Sequence, residues 1–433
     1  MKLEKYSIGV GDRFGHEGAA QLRALIAAQD QGVDIVPIWN KSNREHMLIG
    51  TQPASVRRKV EEAVKVTGWK KSFYVDADHI GLKTVDRFLE YSDFYTVDVA
   101  DFIGKSADEK SLNEFVNSLS KFKGQYSIPG IQQSFNVSDE FLLSVGKKYL
   151  YAVKEAGKIY QYIKANKKNG DFIVEVSMDE TDKPQTPIEL FFILAAIAQE
   201  KIPIQTIAPK FSGEFLKGID YVGDINEFTK EFENDILVIA HAIKLFGLPD
   251  NLKLSVHSGS DKFSLYPIMH SAVKKHNAGL HLKTAGTTWL EELIGLAEAG
   301  GEGLMIAKEI YSQAFARIDE LSQPYVTVIM IDRSKLPKPT EVLSWTSEQY
   351  TSALRHDQSN KKYNLNFRQL LHIAFKIAAE FGDRYIKALE QNEIIIGKNV
   401  TTNILHRHIE PLFIGKSSRS TAKTIESDVH AVV

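Results

Sequence analysis

Seven residues, Tyr74-Val75-Asp76-Ala77-Asp78-His79-Ile80, carry an apolar strand into two carboxylates and an imidazole. Three ionisable groups at the exit of a buried strand are costly unless they are paired or hold a metal. Two more histidines stand in comparable places: His257 closes one apolar run and His281 lies within another. The chain has no cysteine, so disulfides and thiolate metal sites are excluded, and a metal would need His, Asp or Glu. Three neutral imidazoles would hold a divalent cation with one or more positions open to substrate. The competing reading is three histidines that each hydrogen-bond locally.

Glu175 is the sharper anomaly. Strand alternation puts Ile173, Glu175 and Ser177 on one face and Phe172, Val174 and Val176 on the other. The apolar face should pack on helices, which turns Glu175 inward. An inward carboxylate needs a cation, a donor or a proton. It either pairs with a lysine, Lys210 or Lys283, or serves as a general acid or base with an upshifted pKa. Asp76 and Asp78 share a face of their strand. His79 should face the other way unless the strand has already ended, so alternation leaves open whether Asp78 and His79 both reach a site. Asp76 fits a bracing role beside a histidine or lysine as well as a catalytic one.

Polar loops follow the same apolar runs. Ser258-Gly259-Ser260 and Thr284-Ala285-Gly286 suit an anion, and Arg13, Lys210, Lys262 and Lys283 could supply charge. With Asp12, these make Asp12, Arg13, Lys210, Ser258, Ser260, Lys262 and Lys283 the expected substrate contacts. Plain turn chemistry is the alternative for the serines.

The elements that must position these residues alternate from the start. Strands are expected at Tyr6–Val10, Asp34–Trp39, Lys71–Ile80, Phe94–Asp98, Asp171–Ser177, Ile204–Ala208, Leu252–His257 and Gly279–Lys283. Helical patterns separate them: Gly18–Gln31, a helix opening at Pro53, Leu82–Tyr91, Pro187–Gln199, Ile236–Leu245, Tyr266–His276, and one capped by Thr287 and running through Ala299. Eight strand–helix units predict a TIM (β/α)8-like barrel over residues 1–300, with an open doubly wound sheet as runner-up. A helical insertion is expected at about 105–170, with Phe141–Ile163 as one amphipathic helix. Residues 301–415 read as a mainly helical extension, with a strand at Tyr325–Ile331 and helices at Phe367–Phe381 and Tyr385–Ile395. Residues 416–433 read as a disordered tail. No glycine-rich dinucleotide fingerprint follows the first strand, and there is no P-loop.

Composition narrows the partners. Of 433 residues, 43% are hydrophobic and 25% charged, which is ample for a core. A net charge of −2 gives no support to nucleic-acid or anionic-membrane binding. No apolar run reaches membrane-spanning length and the first five residues are not signal-like, so a cytoplasmic protein is expected. A small-molecule substrate is the expected partner, and homo-oligomerisation is compatible with the sequence.

The motifs resemble those of the tagaturonate epimerase family, which interconverts D-tagaturonate and D-fructuronate. They are Gly11-Asp12-Arg13-Phe14-Gly15, Asp76-Ala77-Asp78-His79, Val174-Glu175-Val176-Ser177-Met178-Asp179-Glu180-Thr181, Lys217-Gly218-Ile219-Asp220-Tyr221, His257 through Ser264, His281 through Thr287, Arg368-Gln369-Leu370 and Leu389 through Glu393. Val99-Ala100-Asp101-Phe102 departs from the family's usual Pro-Ser-Asp-His, and its extra amino-terminal region has no counterpart here. The resemblance implies a divalent-metal-dependent enzyme. It implies His79, His257 and His281 as metal ligands, Asp78 as proton acceptor and Glu175 as proton donor. Two rivals remain: an aldolase that releases its fragments, and a silent sugar-acid binding protein.

Overall fold

The computed structural model describes residues 1–168 and 170–416. Eight parallel strands close into a barrel: β1 Tyr6–Val10, β2 Val36–Ser42, β3 Tyr74–Ile80, β4 Phe94–Asp98, β5 Ile173–Ser177, β6 Thr206–Ala208, β7 Lys253–Val256 and β8 Leu280–Ala285. Each pairs with its neighbours in chain order, and β8 returns to β1. The open-sheet alternative is therefore excluded.

The barrel interior is graded along its axis. At the amino-terminal end Leu3, Val36, Ile38, Tyr74, Phe94 and Ile173 form a small apolar cluster of their own. Two residues further along three of these strands the inward positions hold Asp76, Thr96 and Glu175, all buried. The outward residues Val75, Val97, Val174 and Val176 join the large core under the helices. On β3, β4 and β5 alternation is thus apolar outward and turns polar inward toward the carboxyl ends, where a barrel opens to ligands.

Between β4 and β5 the insertion is less helical than its periodicity suggests. It contains an antiparallel hairpin, Gly124–Ser127 with Ser134–Val137, beside the helix Glu109–Ser118. The expected helix from Phe141 runs from Asp139 to Asn166 with a wide turn at Gly146–Leu150. Other expectations also yield. Leu82–Tyr91 holds only a single 3-10 turn, Val85–Arg87, and Tyr325–Ile331 is no strand. The segment there hydrogen-bonds through side chains instead: Gln369 accepts from Met330 N at 2.9 Å and donates back to its carbonyl at 2.9 Å. The tail expected to be disordered lies, beyond Lys416, outside the described residues.

The extension is docked on the barrel's seam. Helix Glu393–Thr402 packs on the first barrel helix, Gly18–Asp30, and the last, Thr288–Ala299. Gly295 permits it, because a Cβ there would lie 2.8 Å from Ile396 Cα. No helix among the described residues is long and apolar enough to cross a membrane.

Acidic side chains are buried at this seam. Glu17 is 2% exposed. Burial pushes its carboxyl up to about 8, and Asp12 and Glu393 add to the shift against Arg23. An unfolded chain releases this proton near 4.5 and the folded chain near 8, so folding takes up a proton between those values. Stability from this group is full below the lower value and is lost as pH rises through the upper one. Glu17→Gln should therefore match the native protein near pH 5 and exceed it by about 1–3 kcal/mol at pH 8, as read from thermal melts across that range.

Candidate active site

The centre of the barrel mouth is one lysine. From β8, Lys283 Nζ lies 2.9 Å from Asp78 Oδ1, 3.0 Å from Asp76 Oδ2 and 3.2 Å from Glu175 Oε1, and also donates to Thr96 Oγ1. Burial alone would lower this ammonium's pKa, but the three carboxylates hold it well above its ordinary value. Burial would raise Glu175; Lys283 and then His257 hold it well below the usual carboxylate range. The upshifted Glu175 expected from the sequence is thus reversed by its two cationic neighbours. Asp78 is likewise depressed, against burial, by Lys283 and His79. Asp76 goes the other way: burial dominates and its two carboxylate neighbours add to it.

The histidines divide into two levels. His257 Nε2 is 2.8 Å from Glu175 Oε1, and its Nδ1 is 3.2 Å from Asp179 Oδ1. Burial would lower this imidazole, but Asp179 and Glu175 raise it. His79 sits edge-on to it, ring centroids 5.3 Å apart, with Nδ1 3.4 Å from Asp98 Oδ2. The register of β3 against β4 slips between Ala77 and Ile80, and His79 takes a left-handed φ of 51°. That irregularity breaks the alternation, so Asp78 and His79 both line the cavity. His281 sits deeper. Its Nδ1 is 3.0 Å from Ser7 Oγ, its ring lies against Phe94, and burial lowers it to about 3, which keeps it neutral.

The cavity above this cluster measures about 850 Å³. Asp78, His79, Asp98, Asp179, His257 and Lys283 line it on the side of the cluster, and Ser258, Ser260, Lys210 and Arg13 reach it as well. Asp12 is on its wall too, but Gly15 N (2.7 Å), His16 N (3.3 Å) and Glu17 N (2.8 Å) occupy its oxygens. Asp12 therefore shapes the first loop. Lys262, expected to meet substrate, points away. Its ammonium donates to Leu216 O (2.8 Å), Ile219 O (2.7 Å) and Ser260 O (3.1 Å). Thr287 does not cap its helix; its hydroxyl donates to Asp261 Oδ2 at 2.7 Å. Sequence reasoning assigned no role here to Thr96, Asp98, Asp179 or Lys217. Inward alternation was signal enough for Thr96 and Asp98, while the other two lie on loops.

The donor set fits a divalent cation in its chemistry. Lys283 contributes one positive charge against three carboxylates, and Glu175 Oε2 is buried with neither a hydrogen bond nor an ion pair. Borderline imidazole and hard carboxylate donors both suit such an ion. In this conformation no three His, Asp or Glu side chains among the described residues are grouped to hold one. Removing the central ammonium tests the cluster directly. Lys283→Met should destabilise the protein by about 3–5 kcal/mol at pH 7. In denaturant unfolding the loss should shrink at pH 5, as the abandoned carboxylates take up protons.

Residues 1–412 match the family described as UxaE, tagaturonate epimerase. A "Tagaturonate/fructuronate epimerase" of Thermotoga maritima is 31% identical over 423 residues, covering 94% of this chain and 80% of the relative. In fold, the chain resembles the glycerol-complexed "fructuronate-tagaturonate epimerase UxaE from Cohnella laeviribosi". The TM-score is 0.78 at 24% identity, over 95% of this chain and 82% of that one. The native crystal form of the same enzyme gives 0.76 at the same identity and coverage. The chain belongs to the tagaturonate epimerase family.

Proposed function

We propose that this protein is an isomerase that interconverts D-tagaturonate and D-fructuronate, with Asp78 and Glu175 as its proton-transfer residues. The observation that carries the reading is the Lys283 bridge: one ammonium touches both carboxylates beneath a cavity sized for a sugar acid. The two uronates differ at a hydroxyl-bearing carbon one bond beyond the ketone's α-carbon. Loss of a proton beside the carbonyl cannot invert that centre, whereas retro-aldol cleavage can. Asp78, held ionised by Lys283, takes the hydroxyl proton. The carbon–carbon bond between the α-carbon and the carbinol carbon breaks, and its electrons pass into the former ketone as an enediolate. The aldehyde turns its other face, the bond re-forms, and the alkoxide is reprotonated. Glu175 is ionised at rest, so its proton must come from a neighbour. His257 Nε2 and Lys283 Nζ are the two basic groups in hydrogen-bond contact with it, beside the Thr96 hydroxyl.

A divalent cation belongs to the same reading. His79, His257 and His281 would hold it, and it would supply Lewis-acid polarisation of the keto-sugar's oxygens. The unsatisfied Glu175 Oε2 and the surplus of carboxylates over ammonium beneath the cavity support it. A direct deprotonation and reprotonation of the stereocentre is the competing chemistry. Proton NMR of the metal-loaded protein with each uronate should show interconversion. Solvent deuterium should stay out of the inverted carbon on the cleavage route and enter it on the direct one.

Glu175→Gln should lower kcat by roughly 10²–10⁴ while uronate binding persists; turnover within a few-fold of the native rate removes Glu175 from the mechanism. Treatment with a chelator should abolish turnover, and readdition of a divalent metal should restore it. Activity that survives exhaustive chelation would count against the cation.

A further inference from the structure

The loop Leu216-Lys217-Gly218-Ile219-Asp220 is held from three directions. Lys217 N donates to Val328 O at 2.8 Å. The Lys262 ammonium donates to Leu216 O and Ile219 O, and Arg368 Nε donates to Gly218 O at 2.6 Å. Asp220 accepts from Ser264 Oγ at 2.9 Å. Lys262 and Arg368 are each 1% exposed, so two buried cations together hold three carbonyls of one short turn. Gly218 takes φ +74°, and a Cβ there would come within 3.1 Å of the His372 ring. Such a turn is a mounting, and what it presents to the cavity is the Lys217 side chain.

That side chain is placed at a cost. Among the described residues no hydrogen bond or ion pair reaches its ammonium. Its surroundings in the cavity wall are themselves cationic, with Arg13 and Arg44 close enough to oppose its charge. The nearby carboxylate of Glu45 is already occupied by Arg13 Nε at 3.1 Å and by the Ser42 cap. A half-buried cation among like charges gains most when an anion joins it. Asp78 and Asp179 on the cavity lining are committed to Lys283 and His257, Asp98 faces His79, and Glu180, Asp182 and Glu214 line the cavity without pairing with Lys217, which leaves its ammonium open to an anionic ligand.

We propose that Lys217, with Arg13 beside it, is the specificity-determining cation that takes the carboxylate of the sugar acid. This rests on the uronate reading above and adds the group that distinguishes a uronate from a neutral keto-sugar. The ion pair fixes one end of the substrate and leaves its hydroxyl-bearing carbons to Asp78 and Glu175. On the cleavage route the fragment that turns over is the one bearing the carboxylate, so the same ion pair also keeps it in the cavity.

The test compares the metal-loaded native chain with Lys217→Met and Lys217→Arg. Each is assayed for turnover and by calorimetry with D-tagaturonate and with D-tagatose, which carries CH2OH in place of the carboxylate. Lys217→Met should weaken tagaturonate binding by roughly 10- to 100-fold, mostly in KM, and change tagatose by less than about threefold. Lys217→Arg should recover part of the preference for the charged sugar. A preference for uronate over tagatose that stays at its native value in Lys217→Met, whether both ligands weaken together or neither does, overturns the assignment. A native protein that neither binds nor converts the uronate overturns the activity reading itself. One that converts it while Lys217→Met keeps its KM overturns only the role of Lys217.

Discussion

The ammonium of Lys283, buried among Asp76, Asp78 and Glu175, is the interaction on which the rest of the molecule depends. β8 and β4 stand on opposite walls of the barrel, with three strands between them in either direction. Lys283 leaves β8 and ends against side chains of β3, β4 and β5, so it ties the two walls across the interior. Without it three carboxylates, two on β3 and one on β5, would share a space that water barely enters, and most would have to be protonated. With it, two of them stay ionised and the third, Asp76, is driven toward its neutral form. Neighbouring carboxyl groups with diverging proton affinities are what acid–base chemistry at neutral pH requires.

Holding that arrangement takes strain outside the barrel. Ser258, Asp261 and Thr287 in the loops after β7 and β8, and Thr284 at the end of β8, all adopt left-handed backbone. Conformations of this kind persist only where the surroundings over-determine them. The extension does so. Asp261 accepts from Arg368 at 2.9 Å, lies 3.2 Å from His356, and receives the Thr287 hydroxyl. His408 donates through Nδ1 to Asn403 O, and its Nε2 accepts the backbone N–H groups of both Asp261 and Gly286 at 3.3 Å. Burial lowers its pKa to about 4, which keeps that nitrogen free to accept. The helices beyond the barrel are therefore part of how the two loops beside His257 and Lys283 keep their shape.

The cavity is electrically uneven as a result. Its floor is anionic in excess, while Arg13, Lys41, Arg44 and Lys217 gather on the wall built by the first two loops and the loop after β6. Such separation orients a charged, hydroxyl-rich ligand before any chemistry begins, because low-polarity surroundings strengthen both ends of the field.

Much of this was legible in the residues themselves. Period-two alternation around Glu175 identified an inward carboxylate, and eight apolar runs separated by helical patterns specified the barrel, because both follow from which face must avoid water. The motifs around His79, His257 and His281 pointed to the family on their own. Tertiary structure decided what local pattern could not encode. It placed Asp78 and His79 on one cavity through a slipped register, turned Lys262 from the ligand to the carbonyls of a distant turn, and set His281 below the other two imidazoles. It also inverted the expected shift of Glu175, because a pKa is set by whichever charges arrive across the barrel, and a strand carries no record of what will face it.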